Sequence, residues 1–127
     1  MFSKAPILIA EDNLYLALDM SQAVEEMAGR VVGPATTVDE ALLLLDTQQV
    51  AAAIVDCQLG ERDAVPLARR LAERRLPFVI HTATPLPQVM GELHPNVPVL
   101  IKPLQPSAIL TCLLDEIRKT GRRPAFL

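Results

Sequence analysis

Short runs of apolar residues alternate along this chain with longer stretches whose apolar positions recur every three or four residues. The first pattern predicts strands and the second amphipathic helices. Strands are expected at about 6–10, 31–35, 51–55 and 78–81 and over Val99-Leu100-Ile101. Helices are expected near 14–28, from the capping-box sequence Thr37-Val38-Asp39-Glu40 onward, from Asp63 to about Arg75, and over 106–119. Asn13 leads into the first helix, and Gly29 is placed to end it as the C′ residue. Asp63 can cap the third helix, with Pro66 tolerated in its first turn. Ala41, Leu42, Leu44 and Leu45 supply the buried face of the second helix. Ile109, Leu110, Leu113, Leu114 and Ile117 supply that of the last, which Gly121 stops. One segment fits poorly: Pro85, Pro87 and Pro95 crowd residues 83–96 and Gly91 sits inside. Only about Gln88–Leu93 can be helical, so a fourth helix is expected to be short, distorted or absent.

Strand–helix alternation with short connections implies right-handed crossovers and a doubly wound α/β fold. The expected architecture is the flavodoxin-like (βα)5 parallel sheet, strand order 2-1-3-4-5, with its crevice between strands 1 and 3. The 51–55 run is apolar throughout, as a central strand covered on both faces requires. At 127 residues the chain is expected to be one domain, 1–127, with its core at about 5–120 and a frayed basic tail at 121–127.

That topology gives the strand ends their meaning. In a parallel sheet, strand ends of one polarity share an edge, so residues distant in sequence converge there. Ile7-Leu8-Ile9-Ala10 runs into Glu11-Asp12, Ala53-Ile54-Val55 into Asp56, Phe78-Val79-Ile80-His81 into Thr82, and Val99-Leu100-Ile101 into Lys102-Pro103. Three carboxylates crowd one crevice only at a cost unless a cation offsets their repulsion. Mg2+ suits such a set because it takes oxygen ligands and keeps several waters. Asp12 and Asp56 could bind it directly, Glu11 through water, and a loop carbonyl just past Asp56 could add another oxygen. Asp56 can then act as a nucleophile toward phosphorus, with Thr82 and Lys102 reaching phosphoryl oxygens. Each residue also has an ordinary explanation. Asp56 could cap a loop, Glu11 and Asp12 could favour a helix N-terminus, Thr82 could be a plain strand residue and Lys102 a snorkelling lysine. Those explanations do not account for the coincidence of all of them at four strand ends.

Composition narrows the classes. Half the residues are hydrophobic and 21% are charged, as in a globular protein, and the formal charge of −3 argues against a nucleic-acid-binding body. The longest apolar stretch, Val50 to Val55, is too short to span a bilayer, and no signal segment opens the chain. Cys57 and Cys112 match no metal or redox spacing, so reduced thiols and a cytoplasmic location are expected. Cys57 reads as a small packing residue, and His81, alternating with Thr82, as a packed strand histidine. The basic run Arg62, Arg69, Arg70, Arg74 and Arg75 reads as a solvated helix face in preference to a docking patch.

With these motifs in place, the chain resembles a receiver domain of the two-component response-regulator family over about residues 5–120. The motifs are the acidic pair Glu11-Asp12, Asp56, Thr82-Ala83, Lys102-Pro103 and the spacing of Asp56, Leu59 and Asp63. The resemblance implies that Asp56 is the phosphoacceptor, that Glu11, Asp12, Asp56 and the Gln58 backbone carbonyl hold Mg2+, and that Thr82 and Lys102 engage the phosphoryl group. It also implies a histidine kinase or histidine phosphotransfer protein as donor, an output protein as reader and no separate substrate as in an enzyme. With no further segment in view, a stand-alone switch or phosphorelay intermediate is expected, without direct nucleic-acid or membrane binding, and homodimerisation stays open. The alternative is a phosphate-independent interaction module on the same fold. The chain departs from the family in one place that matters: the usual switch aromatic, three residues before the lysine, is Val99. Pro77-Phe78 through Thr82 and the weak fourth helix resemble a receiver subgroup with an atypical fourth helix. That subgroup normally has glycine and an aromatic where this chain has Ala83 and Thr84.

Overall fold

In the computed structural model, residues 1–120 are described. The expected stop at Gly121 and the basic tail at 121–127, with Arg122 and Arg123, lie outside the described residues. The elements run β1 (Pro6–Ala10), α1 (Leu14–Glu26), β2 (Arg30–Ala35), α2 (Val38–Thr47), β3 (Ala52–Val55), β4 (Gln58–Leu59), β5 (Arg62–Asp63), α3 (Val65–Glu73), β6 (Phe78–Thr82), α4 (Gln88–Leu93), β7 (Val99–Ile101) and α5 (Pro106–Lys119).

Five of the strands form one parallel sheet in the order β2-β1-β3-β6-β7. Counting only the strands of this sheet, that is the expected 2-1-3-4-5 order of the flavodoxin-like fold. Its three inner strands, β1, β3 and β6, bury both faces because successive side chains point to opposite sides. Leu8, Ala53, Val55, Phe78 and Ile80 meet Ala41, Leu45, Leu67, Leu71 and Met90 on the side of α2, α3 and α4. Ile7, Ile9, Ala52, Ile54 and Val79 meet Met20, Val24, Ile109, Leu110 and Leu113 on the side of α1 and α5. No helix among the described residues is long and apolar enough to cross a membrane.

The helix ends show where local chemistry agrees with expectation and where packing overrides it. Asn13 caps α1, its Oδ1 accepting from the amides of Tyr15 and Leu16. The Thr37 hydroxyl accepts from the Glu40 amide at 3.1 Å, and the Glu40 carboxylate accepts from Thr36. Gly29, by contrast, is not the left-handed residue that ends α1. Ala28 takes that role with φ 62°, while the amides of Ala28 and Gly29 donate to Glu25 and Val24 carbonyls in a Schellman arrangement. Packing decides the swap, since a Cβ on Gly29 would sit 2.7 Å from Val24 Cγ1. Asp63 also caps from one position earlier than expected: Ala64 is the N-cap of α3, and Asp63 Oδ1 accepts from the Val65 amide.

Two further features bear on the site. The segment after Asp56, expected as a plain loop, forms the small antiparallel hairpin β4–β5 turning at Gly60, whose φ is 64°. The fourth helix is short, six residues long, and Met90 is its buried anchor. Val99 and Ile101, on the α4 side of edge strand β7, consequently stay exposed, while Leu100 packs toward α1 and α5.

Candidate functional site

The carboxyl ends of β1, β3 and β7 bring four of the expected groups into one cluster. Carboxylate oxygens of Glu11, Asp12 and Asp56 lie within 4.8 Å of one another. Lys102 Nζ sits between two of them, 2.7 Å from Glu11 Oε1 and 2.8 Å from Asp56 Oδ2. Glu11 and Asp56 are buried and Asp12 is exposed at the mouth. Backbone donors hold the acids in place: the Asn13 amide donates to Glu11 Oε2, the Gln58 amide to Asp56 Oδ1 and the Gly60 amide to Asp12 Oδ2. Asn13 and Gly60 escaped the reading of the sequence as site residues. The one signal for Gly60 was a glycine four residues past the aspartate.

The electrostatics follow from this geometry. Burial pushes the Glu11 carboxyl above the usual range, and the neighbouring Asp56 charge adds to it; Lys102 and the Asn13 amide offset only part of the effect. Burial alone would lower the Lys102 ammonium, but its bonds to Asp56 and Glu11 outweigh burial and raise it. Both groups are raised, with opposite consequences for charge. Lys102 holds its proton more tightly because it serves two carboxylates, whereas Glu11, buried and sharing one ammonium with a second acid, gives up its proton less readily. Three carboxylates against one ammonium leave two negative charges in the crevice.

That excess tests the fit of a divalent cation. Hard carboxylate oxygens, closely spaced and partly open to water through Asp12, are the donors Mg2+ takes. Gln58 meets Asp56 through its amide in this structure.

Thr82 lies at the same sheet edge but its hydroxyl is engaged elsewhere. It is fully buried, with its Oγ1 2.9 Å from Cys57 Sγ and 3.1 Å from Thr84 Oγ1, and it accepts from the Thr84 amide at 3.2 Å. Cys57 packs in the core, as expected, but also holds this hydroxyl. His81 points to the opposite face, is buried, and its ring Nε2 has no hydrogen-bond partner. The Lys102–Pro103 bond is cis. Of the basic run, Arg62 pairs with Asp39, while Arg70 and Arg74 pair with Asp46, tying the β4–β5 hairpin and α3 to α2.

No family model matches the chain. Among curated proteins it is similar to the transcriptional regulatory protein PdtaR of Mycobacterium tuberculosis, at 31% identity over 78 residues. That match covers 61% of this chain and 38% of PdtaR, so the chain spans well under half the length of the curated relatives it matches. Among solved structures it resembles a CheY-like response regulator receiver domain protein from Methanospirillum hungatei JF-1. The TM-score is 0.81 at 18% identity, over 92% of this chain and 96% of the other. It also resembles the non-phosphorylated HemR receiver domain from Leptospira biflexa, with TM-score 0.76 at 25% identity, over 90% of this chain and 94% of the other.

Proposed function

From the premise that the chain belongs to the response regulator receiver family, we propose that it accepts a phosphoryl group on Asp56 and works as a phosphorylation-operated switch or relay. The observation that carries this reading is the Lys102 ammonium held between Asp56 and Glu11, with Asp12 alongside and two negative charges unbalanced. A site built only for stability would pair its charges; this one leaves a deficit that a divalent cation and a phosphoryl group would use together.

In this reading a histidine kinase or histidine phosphotransfer protein presents phosphohistidine at the crevice. An Asp56 carboxylate oxygen attacks phosphorus, the phosphorus–nitrogen bond breaks, and the imidazole leaves with the electron pair. Mg2+, held by Asp12, Asp56, the Gln58 carbonyl and, through water, Glu11, would supply charge neutralisation at the phosphoryl oxygens. Lys102 would move from its carboxylate pairs toward a phosphoryl oxygen, and Thr82 would donate to another. The chain thus assists its own phosphorylation and dephosphorylation and acts on no separate substrate. The added dianion would shift residues 83–105, where α4 is short and β7 leaves Val99 and Ile101 exposed, between two states that a cytoplasmic partner reads.

Mass spectrometry after treatment with acetyl phosphate tests this. One phosphoryl group should appear in Mg2+, none without it, and none on Asp56→Asn. Labelling that persists on Asp56→Asn refutes the assignment. Mg2+ binding with no labelling would favour the phosphate-independent interaction module, which the replacement of the usual aromatic by Val99 supports.

A further inference from the structure

Cys57, Thr82 and Thr84 form a closed triangle of side chains. The sides are Cys57 Sγ to Thr82 Oγ1 at 2.9 Å, Thr82 Oγ1 to Thr84 Oγ1 at 3.1 Å, and Thr84 Oγ1 to Cys57 Sγ at 3.2 Å. Each corner carries one proton and can also accept, so three protons satisfy three sides. Whichever way the ring of donors runs, Thr82 gives its proton to one neighbour and accepts from the other. The Thr84 amide then donates to Thr82 Oγ1 at 3.2 Å, which fills the second acceptor position of that hydroxyl. The Thr84 carbonyl, at 3.4 Å, is a longer and weaker alternative acceptor for the same proton.

A saturated hydroxyl cannot donate to a phosphoryl oxygen without first giving up one of these bonds. We propose that Cys57 is a positioning residue: together with Thr84 it latches the Thr82 hydroxyl in a resting arrangement, and the latch must open for Thr82 to reach a phosphoryl group on Asp56. The inference rests on the reading of Asp56 as phosphoacceptor and adds to it a residue whose thiol acts through Thr82 and Thr84 and not through the carboxylates. A thiol suits the role because it is a weak donor and acceptor, so the latch holds without being costly to open. Its position favours the role too. Cys57 directly follows Asp56, two residues past the end of β3, and is buried with its thiol against Thr82 of β6.

The apparent affinity of a ligand falls by the fraction of protein in the competent arrangement, so a latch weakens binding of a phosphoryl mimic. The test is titration of the full chain with beryllofluoride in saturating Mg2+. Cys57→Ala should tighten binding by about fivefold, the scale of one hydrogen bond. Cys57→Ser, whose hydroxyl re-closes the triangle, should restore nearly wild-type affinity. In a Thr82→Val background Cys57→Ala should change nothing, since no hydroxyl remains to release. If Cys57→Ala does not fold, Thr84→Val at an exposed position opens the same ring and should tighten binding in the wild type but not with Thr82→Val. Unchanged or weaker binding by the ring-opening variants overturns the latch, as does tightening that persists in Thr82→Val. If the wild-type chain binds no beryllofluoride at all, the phosphoacceptor reading fails and the latch falls with it.

Discussion

Lys102 Nζ lies 2.8 Å from Asp56 Oδ2 and, on its other side, 2.7 Å from Glu11 Oε1. One cation therefore screens two buried acids from each other in the metal-free chain. Truncating it with Lys102→Ala leaves those acids facing each other with no counter-charge. The expected loss is about 2 kcal/mol, below the range for fully buried pairs because the Lys102 side chain keeps 15% exposure to water. Urea melts of wild type and variant without Mg2+ measure it, and a difference near zero would mean that solvent already screens the pair.

Mg2+ should stabilise the folded chain by linkage, since the three carboxylates converge only in the folded state. At a tenfold excess over Kd the gain is about 1.4 kcal/mol, or about 5 °C in Tm for a domain of this size. Asp12→Ala should remove most of that increment while leaving the metal-free Tm little changed, because Asp12 is exposed and outside the core. Thermal melts with Mg2+ and with a chelator give the answer. An undiminished Mg2+ increment in Asp12→Ala would move the cation away from this crevice.

The sheet and the acidic crevice were legible in the sequence because both rest on strong local signals. The apolar runs mark β1, β3 and β6, and in a parallel sheet the residue after each run has one place to go. What stayed hidden depended on packing between distant segments. Gly29 carried the usual sign of a helix end, yet its lack of a Cβ serves contact with Val24, and Ala28 takes the left-handed turn instead. The hydroxyl of Thr82 was legible as a strand-end donor. Its resting partners were not, because Cys57 and Thr84 meet it only once β3 and β6 are side by side. The Gly60 amide on Asp12 is a contact across 48 positions that no local pattern announces.

The short α4 yields a prediction about local stability. Met90 is its buried anchor, packed into the cluster on the α2–α3 side of the sheet. Met90→Ala removes that anchor from a helix too short to persist alone, so α4 should open while the sheet stays folded. The side chain's burial is worth about 2–4 kcal/mol. Hydrogen exchange should show the amide of His94, which caps α4 by donating to the Met90 carbonyl, losing protection while those of β1 and β3 keep theirs. Leu113→Ala, in the α5 core, should instead lower protection across the whole chain. Equal and uniform loss in both variants would contradict a separately held α4.

Stability should also fall on mild acidification, through the histidines. Burial lowers the His81 imidazole below its ordinary 6.5, and the Lys102 charge lowers it further, against a smaller opposing effect of Asp56. Burial and then Arg69 lower His94, which packs edge-on against Phe78. Both rings leave Nε2 buried without a partner, so protonation has nothing to reward it in the folded state. The unfolded chain therefore binds more protons in the window between the folded and unfolded pKa values, and stability there rises with pH. The histidine contribution is complete above 6.5 and is lost as pH falls through that value toward the lower folded pKa. Glu11 acts with the opposite sign: its raised pKa contributes stability below the ordinary carboxylate value of 4.5 that is lost as pH rises through the folded pKa. The wild-type curve alone therefore mixes the two, and His81→Leu with His94→Leu separates them. Urea midpoints followed from about pH 8 to about pH 5.5 should decline in the wild type and lose that decline in the double variant, where the opposite contribution of Glu11 remains. A double variant as acid-sensitive as the wild type would show that the histidines are protonated in the folded chain without cost.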